Sequence, residues 1–150
     1  MPKVKIYTDG AAKGNPGPGG YGVILQSSGL EKEISGGFFH TTNNRMELLA
    51  VIVGLEALKI KGSSVSIYSD SKYVVDPINK NWIDKWQKKS WLKIKNPDLW
   101  KRLLLSLKKH DVKFHWIKGH NAHPENERCD QLAVKASHAP TKDDSGYELK

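Results

Sequence analysis

Two short stretches of the sequence are nearly the same, and they restrict the fold more than any other feature. VKIYTD at residues 4–9 and VSIYSD at residues 65–70 share Val, Ile, Tyr and Asp, with Thr matched by Ser. Both are β-branched and aromatic runs typical of strands, and each presents an aspartate at its carboxyl end. Parallel neighbours in register would place Asp9 and Asp70 roughly 5 Å apart, one strand spacing. Two carboxylates that close repel each other unless a proton or a cation lies between them.

The rest of the chain alternates between strand and helix patterns. Further strands are predicted over residues 21–26, 31–39 and 112–117, and helices over residues 44–59, 71–76, 98–109 and 125–138. We expect Pro77 to end the second of these helices. Three strands followed by alternating helices and strands predict an α/β fold with one mixed sheet flanked by helices. We expect a single domain over residues 1–150, with about 139–150 a loose C-terminal tail.

The glycine-rich segment at residues 10–20 is typical of a turn. Its GPGGYG stretch at residues 17–22 matches the dinucleotide-binding pattern G-x-G-x-x-G. That pattern requires a helix after the glycines, whereas a strand is predicted here. We therefore interpret the glycines as turn residues that let the backbone approach a nucleic acid closely.

Positive charge is concentrated in one segment. The 150 residues carry a net charge of +8, and residues 80–109 hold ten Lys or Arg against two Asp, so the remainder is neutral. A neutral body with one basic segment favours a polyanionic partner, and a solvated, lysine-rich helix surface is the alternative. The single cysteine, Cys129, suits a reducing compartment. No apolar run is long enough to span a membrane and no signal peptide is evident, so we expect a cytoplasmic monomer without an obligate protein partner.

Two predicted helices carry acids on faces that should be apolar. Glu47 begins the apolar stripe of the 44–59 helix, and Asp130 begins a smaller stripe on the last helix. Charged groups on buried faces are costly unless they are paired or bound to metal. With Asp9 and Asp70, these acids form a set without basic partners nearby in sequence, which predicts a hard divalent cation.

Three of the four acids also have a simpler explanation. Asp70 could cap the helix that follows it, and Asn44 with Glu47 has the spacing of a capping box. Asp9 could form an Asx-turn before Gly10. These explanations would have to hold at every position together.

Several long blocks of the sequence resemble bacterial type 1 ribonucleases H over nearly the whole length: YTDGAAKGNPGPGGYG, TNNRMELLA, SDSKYV, W…LW and KGHNAHPENERCDQLA. The resemblance implies a ribonuclease H-like fold with a five-stranded mixed sheet and helices on both sides. It implies endonucleolytic hydrolysis of the RNA strand of RNA–DNA hybrids, giving 5′-phosphate and 3′-hydroxyl ends. It also implies two Mg²⁺ ions as cofactors, for which Mn²⁺ often substitutes.

The resemblance places the catalytic acids on Asp9, Glu47, Asp70 and Asp130, the four that the residue patterns select. It also implies that His120 assists proton transfer or product departure, and an exposed loop histidine is the alternative. A zinc site at His120 and His123 is rejected because Cys129 is the only thiol. We predict instead that Cys129 is buried and that His123 is structural.

Residues that bind the hybrid are also implied by the resemblance. Asn43 and neighbouring backbone would contact RNA 2′-hydroxyls, and Asn15 and Thr42 would lie on the DNA side. Side-chain amides donate and accept hydrogen bonds, which suits this task and makes Asn44 a further candidate. Position 72 is often Gln in the family and is Lys72 here, which leaves its 2′-hydroxyl contact open.

The basic segment alternates lysine with tryptophan. The resemblance favours a protrusion that grips the DNA strand, and a core role is the alternative for each tryptophan. The candidate residues are Trp82, Lys85, Trp86, Lys88, Lys89 and Trp91. Trp100 and Trp116 are predicted to lie in the core.

Two other functions compete with catalysis on hybrids. One is a binding module of the same fold that recognises hybrids without cutting them, and the presence of all four acids argues against it. The other is a DNA-cutting relative such as an integrase or resolvase. The TNN block and the full-length match argue against that alternative.

Overall fold

A computed structural model describes residues 2–118 and 123–148, and it contains one five-stranded sheet. The strand order is β3-β2-β1-β4-β5, with β1 and β3 antiparallel to β2, and with β4 parallel to both β1 and β5. The predicted mixed five-stranded sheet is therefore confirmed. The strands are β1 (Lys3–Ala12), β2 (Gly17–Ser27), β3 (Leu30–Thr41), β4 (Ser64–Ser69) and β5 (Asp111–Trp116).

Helices cover both faces of this sheet. In chain order they are α1 (Asn43–Glu56), α2 (Lys72–Asn79), α3 (Trp82–Lys88), α4 (Pro97–Leu107), α5 (Pro124–His138) and α6 (Ser145–Glu148). Helix α1 packs on β1 and β2 from one side, and Gly54 allows it to approach Ile6 and Val23 closely. Helix α5 packs on the opposite face, where Tyr7, Ile24 and Cys129 form a smaller core. Within the described residues, every helix is too short or too polar to cross a bilayer.

The glycine-rich segment is mostly strand rather than turn. Residues 13–16 connect β1 to β2, and Gly20 and Gly22 lie within β2 beneath α5. A Cβ at Gly22 would lie 2.2 Å from the carbonyl oxygen of Cys129, so only glycine admits the helix at this distance. The prediction that these glycines expose backbone to a nucleic acid is therefore wrong for Gly20 and Gly22, which serve helix packing.

Pro77 does not end α2, contrary to prediction. The helix continues to Asn79, and the Lys80 N–H donates to the Asp76 carbonyl at 2.8 Å. A proline inside a helix removes one backbone hydrogen bond. Because Pro77 is buried together with Val74 and Val75, packing of this face offsets that loss.

The C-terminal segment is not a loose tail over residues 139–147. The Phe39 N–H donates to the Lys142 carbonyl at 2.9 Å, which ties the segment to β3. Asp144 is buried and accepts from Nε and Nη2 of Arg45 at 2.7 and 3.0 Å. Asp98 accepts from the other edge of the same guanidinium. The fully buried Arg45 side chain needs these partners, because an unpaired buried charge is strongly destabilising.

Candidate metal centre

The parallel register of β1 and β4 brings two aspartates together. Ile6 pairs with Ile67 and Tyr7 with Tyr68, so the two similar stretches align residue for residue. The rings of Tyr7 and Tyr68 stack with centroids 4.9 Å apart. Two positions further along, Asp9 and Asp70 approach until carboxylate oxygens of the two side chains lie within 4.8 Å of each other. The proximity predicted from the repeated strand is confirmed.

Glu47 joins this pair from α1 because Gly10 leaves room for the helix. A Cβ on Gly10 would lie 2.4 Å from the backbone nitrogen of Glu47, so any larger residue would push α1 away from β1. The Glu47 side chain is almost fully buried, and its carboxylate oxygen lies within 4.8 Å of those of Asp9 and Asp70. Sequence reasoning found Glu47 through the apolar stripe. It missed Gly10, for which the only local signal is a glycine directly after an acid.

Asp130 lies at the rim of this group. It comes from α5, on the opposite face of the sheet, and it borders the same pockets as Asp9 and Asp70. The compact group of acids within the described chain comprises Asp9, Glu47 and Asp70 alone. The structure thus gathers three of the four predicted acids into one compact group, and Asp130 joins it through a side-chain hydrogen bond with Asp9.

Electrostatics in the group oppose full ionisation. Burial and then repulsion from Asp70 raise the pKa of Asp9 to about 7. Burial, followed by repulsion from Asp9 and Asp70, holds the pKa of Glu47 well above its usual range. The neighbours that raise both pKa values are other acids, and the Gly10 backbone N–H acts against this for Glu47. A purely oxygen-based, electron-rich donor set of this kind fits a hard divalent cation.

The simpler explanations for the individual acids do not describe these positions. Asp9 lies inside β1, paired with Gly22, and not in a turn. Thr42 caps α1, where its hydroxyl accepts from the Arg45 N–H at 3.2 Å. Ser71 occupies the N-cap position of α2. The carboxylates are therefore not held in place as helix caps or turn residues.

Two of the predicted hybrid-binding residues, Asn15 and Asn43, are hydrogen-bonded to each other. The Asn43 backbone N–H donates to Oδ1 of Asn15 at 3.0 Å, and Oδ1 of Asn43 accepts from the Ala12 N–H. Thr42 is occupied by its capping bond to α1. Asn44 is exposed and lies with Asn43 in a pocket that also contains the three acids. Asn43 and Asn44 therefore lie directly beside the candidate metal centre.

The tryptophans of the basic segment divide into two kinds. Trp86 and Trp91 are half-buried and pack against the core, and the Trp86 ring meets that of Trp100 edge-on at 5.3 Å. Trp82 is 40% exposed, with the Lys80 ammonium 5.6 Å from its ring centroid. Among the three tryptophans, the structure favours Trp82 as the one with a free surface. The predicted lysines of this segment are all exposed: Lys85, Lys88 and Lys89.

Trp100 and Trp116 have opposite environments. Trp100 is fully buried, as predicted, whereas Trp116 is 45% exposed and the prediction that it lies in the core is wrong. Trp116 is the last residue of β5; strand alternation puts it on the same side as the core residues Val112 and Phe114, but it lies at the end of the strand, beyond the core cluster. Its indole N–H donates to the Asp70 carbonyl, and the Lys72 ammonium lies over its ring.

The predictions for the 117–130 region are tested only in part. His120 lies outside the described residues. His123 contacts the rings of Tyr7 and Tyr68, with centroids 6.0 and 5.9 Å away. Cys129 is fully buried, its thiol donates to the Tyr7 carbonyl, and burial raises its pKa. The predicted burial of Cys129 is confirmed.

Comparison with known proteins agrees with this fold. The RNase H family model matches residues 1–138. A ribonuclease H of Desulforamulus reducens is 57% identical over 145 residues, covering 93% of this chain and 91% of that protein. A ribonuclease H of Proteus mirabilis is 53% identical, covering 97% of this chain and 93% of that protein.

Solved structures of ribonucleases H have the same fold. LC9-RNase H1, a type 1 RNase H, superimposes with a TM-score of 0.85 at 29% identity, covering 99% of this chain and 81% of that one. LC11-RNase H1, crystallised in complex with an RNA/DNA hybrid, gives a TM-score of 0.66 at 28% identity, covering 90% and 96%.

A mixed sheet with three carboxylates gathered where β1 and β4 lie side by side defines a nuclease of the ribonuclease H-like class. The chain belongs to the ribonuclease H family, and it is a hydrolytic enzyme of that family.

Proposed function

We propose that this enzyme cuts the RNA strand of RNA–DNA hybrids endonucleolytically, using two Mg²⁺ ions and leaving 5′-phosphate and 3′-hydroxyl ends. The single observation that carries the proposal is the group formed by Asp9, Glu47 and Asp70, whose carboxylate oxygens all lie within 4.8 Å of one another. Family membership and the hybrid-bound relative LC11-RNase H1 support the choice of substrate.

Asp9, Glu47 and Asp70 would hold the ions, and Asp130 would complete the site from its rim. Bound divalent cations lower the pKa of an attacking water and neutralise charge that develops on the phosphate. The acids therefore act as ligands that must be ionised, and the raised pKa values of Asp9 and Glu47 make metal binding compete with protons. His120, by resemblance to the family, would assist proton transfer or product departure.

The hybrid would lie across the carboxylate group and the basic segment. Asn43 and Asn44 lie beside the acids and would contact 2′-hydroxyls of the RNA strand, which distinguish RNA from DNA. Asn15 and Thr42 would serve the DNA strand. Exposed lysines of the 80–95 segment would bind its phosphates, and Trp82 would contact the same strand. We propose that the enzyme acts as a cytoplasmic monomer, with Mn²⁺ able to replace Mg²⁺.

The decisive experiment compares cleavage of hybrid, RNA–RNA and DNA–DNA duplexes of one sequence, with Mg²⁺ and with EDTA. Only the RNA strand of the hybrid should be cut, and only with metal. Asp9→Asn should abolish cleavage while the variant still binds the hybrid. Asp111→Asn is the matched control, because Asp111 is exposed at the amino end of β5, far from the carboxylates.

Each alternative function has its own signature in this experiment. Hybrid binding by the wild-type chain without cleavage would identify a non-catalytic binding module. Equal cutting of DNA–DNA duplexes would identify a DNA nuclease. Substantial turnover by Asp9→Asn would refute the assignment of Asp9 as a metal ligand.

A further inference from the structure

Trp116 links the end of β5 to the turn that carries Asp70. The Trp116 indole Nε1–H donates to the Asp70 backbone carbonyl at 3.1 Å, and the next residue, Ile117, donates its N–H to the Ser69 carbonyl at 3.0 Å. Two hydrogen bonds therefore fasten this strand end to the residues directly around Asp70. The indole bond is made by a side chain, so it can be removed without disturbing the strand pairing of β4 with β5.

The outer face of the same indole holds a cation. The Lys72 ammonium lies 4.6 Å from the centroid of the Trp116 ring, well within the range of a cation–π contact. Both side chains are exposed, and Lys72 is the first residue of α2, two positions after Asp70. A lysine at an exposed helix start would ordinarily sample many rotamers. Stacking restricts its charge to the face of the indole that is hydrogen-bonded to the Asp70 backbone.

Trp116 is the last residue of β5, and 45% of its surface is exposed. Its two polar interactions provide the reason for its position. One reaches the backbone of a carboxylate residue, and the other restrains a positive charge where a polyanionic strand would approach.

We propose that Trp116 is a positioning residue that acts on two groups of the site, the Asp70 backbone and the Lys72 ammonium. Its indole N–H holds the backbone of Asp70, and its ring face holds the Lys72 ammonium ready for a phosphate of the nucleic acid strand that reaches the carboxylates. This inference rests on the proposed function and extends it by assigning a role to Trp116 and a phosphate contact, rather than a 2′-hydroxyl contact, to Lys72.

The two roles can be separated by substitution. Trp116→Phe keeps an aromatic ring for Lys72 and removes the indole N–H that donates to the Asp70 carbonyl. Lys72→Gln removes the charge and leaves the indole bond. Trp116→Leu removes both interactions. Lys61→Gln is the matched control, because it removes one exposed positive charge in the turn before β4, at the far end of that strand from Asp70.

Binding is measured by fluorescence anisotropy of a labelled RNA–DNA hybrid in EDTA over a series of NaCl concentrations. Lys72→Gln should reduce the slope of log K against log salt by about one, the value for one lost phosphate contact. Trp116→Leu should weaken binding about threefold, because a cation–π restraint of this size is lost. Trp116→Phe should bind as the wild type does.

Catalysis is measured as kcat, KM and the Mg²⁺ concentration at half-maximal rate. Trp116→Phe should lower kcat about fivefold, as expected for the loss of one hydrogen bond, and should raise the Mg²⁺ requirement with KM unchanged. Lys72→Gln should raise KM and leave kcat unchanged. If Trp116 were only structural, its substitution would lower the melting temperature, and the two variants would not separate an effect on kcat from an effect on KM.

Either of two results overturns the proposal. One is a salt slope for Lys72→Gln that equals that of Lys61→Gln. The other is a Trp116→Phe variant with the kcat and Mg²⁺ requirement of the wild type. If Trp116→Leu does not fold, these two variants decide the matter alone. Failure of the wild-type chain to cut hybrids would refute the proposed function, whereas the EDTA binding series tests the Lys72 contact without any cleavage.

Discussion

Replacing Asp9 by asparagine should stabilise the metal-free protein, and the gain should depend on pH. A carboxyl pKa raised from 3.8 to about 7 corresponds to about 4 kcal/mol between the neutral and charged forms. Two charges separated by less than 4.8 Å repel by a similar amount, about 3–4 kcal/mol at an effective dielectric constant of about 20. Because Asp9, Glu47 and Asp70 share this repulsion, we expect the single neutral substitution to recover about 2 kcal/mol.

The way in which stability changes with pH follows from the raised pKa of Asp9. The folded-state pKa of Asp9 is raised, so its contribution to stability is present below the unfolded-state value near 4 and is lost as the pH rises through about 7. Without metal, the wild-type chain should therefore be less stable at pH 8 than at pH 5. The advantage of Asp9→Asn should be greatest at pH 8 and should disappear towards pH 4.

Thermal unfolding followed by circular dichroism in EDTA measures this difference. A gain of about 2 kcal/mol corresponds to about 4–8 °C in Tm for a chain of this size. Adding Mg²⁺ at a hundred times its Kd should stabilise the wild type by about 2.7 kcal/mol and the variant by much less. Asp111→Asn serves as the control for loss of a carboxylate. A lower Tm for Asp9→Asn at pH 8 in EDTA would refute the reasoning, because Asp9 would then be a structural carboxylate.

Three further predictions concern other parts of the molecule. Asp144→Asn should lower the free energy of unfolding in denaturant by about 3 kcal/mol, because it breaks the ion pair with the buried Arg45. Asp143→Asn, at the exposed neighbouring position, should have little effect. Equal effects of the two substitutions would contradict a structural role for the segment after α5. Neutralising three lysines of the basic segment should weaken hybrid binding and flatten its salt dependence: Lys85, Lys88 and Lys89. Neutralising three exposed lysines at the other end of the sheet is the control and should do neither: Lys32, Lys59 and Lys61. Cys129 should react with a thiol reagent only upon unfolding, since burial raises its pKa; rapid labelling of the native protein would show that α5 opens readily.

Much of the candidate site could be predicted from local patterns. The two similar stretches carry the same alternation of side chains, so parallel pairing in register necessarily brings Asp9 beside Asp70. Helical periodicity predicted that Glu47 faces the core, although α1 is buried on nearly all sides, and the residue patterns predicted all five strands. These features depend on periodicities of the chain itself, which are legible without knowledge of what packs against each element.

Only the tertiary structure determined how close the elements approach and what lies between them. Gly10 and Gly22 read as turn glycines in the sequence, yet they admit α1 and α5 to opposite faces of the sheet. Arg45 and Asp144 are ninety-nine positions apart, and no local pattern predicts that they meet. The same holds for Trp116: its large apolar ring suggests a core position, but its place at the end of β5 leaves it beside Asp70. The sequence by itself thus determined which acids share an edge of the sheet, because strand period and register are local properties. Their distances, their raised pKa values and their supporting contacts were decided by packing between distant parts of the chain.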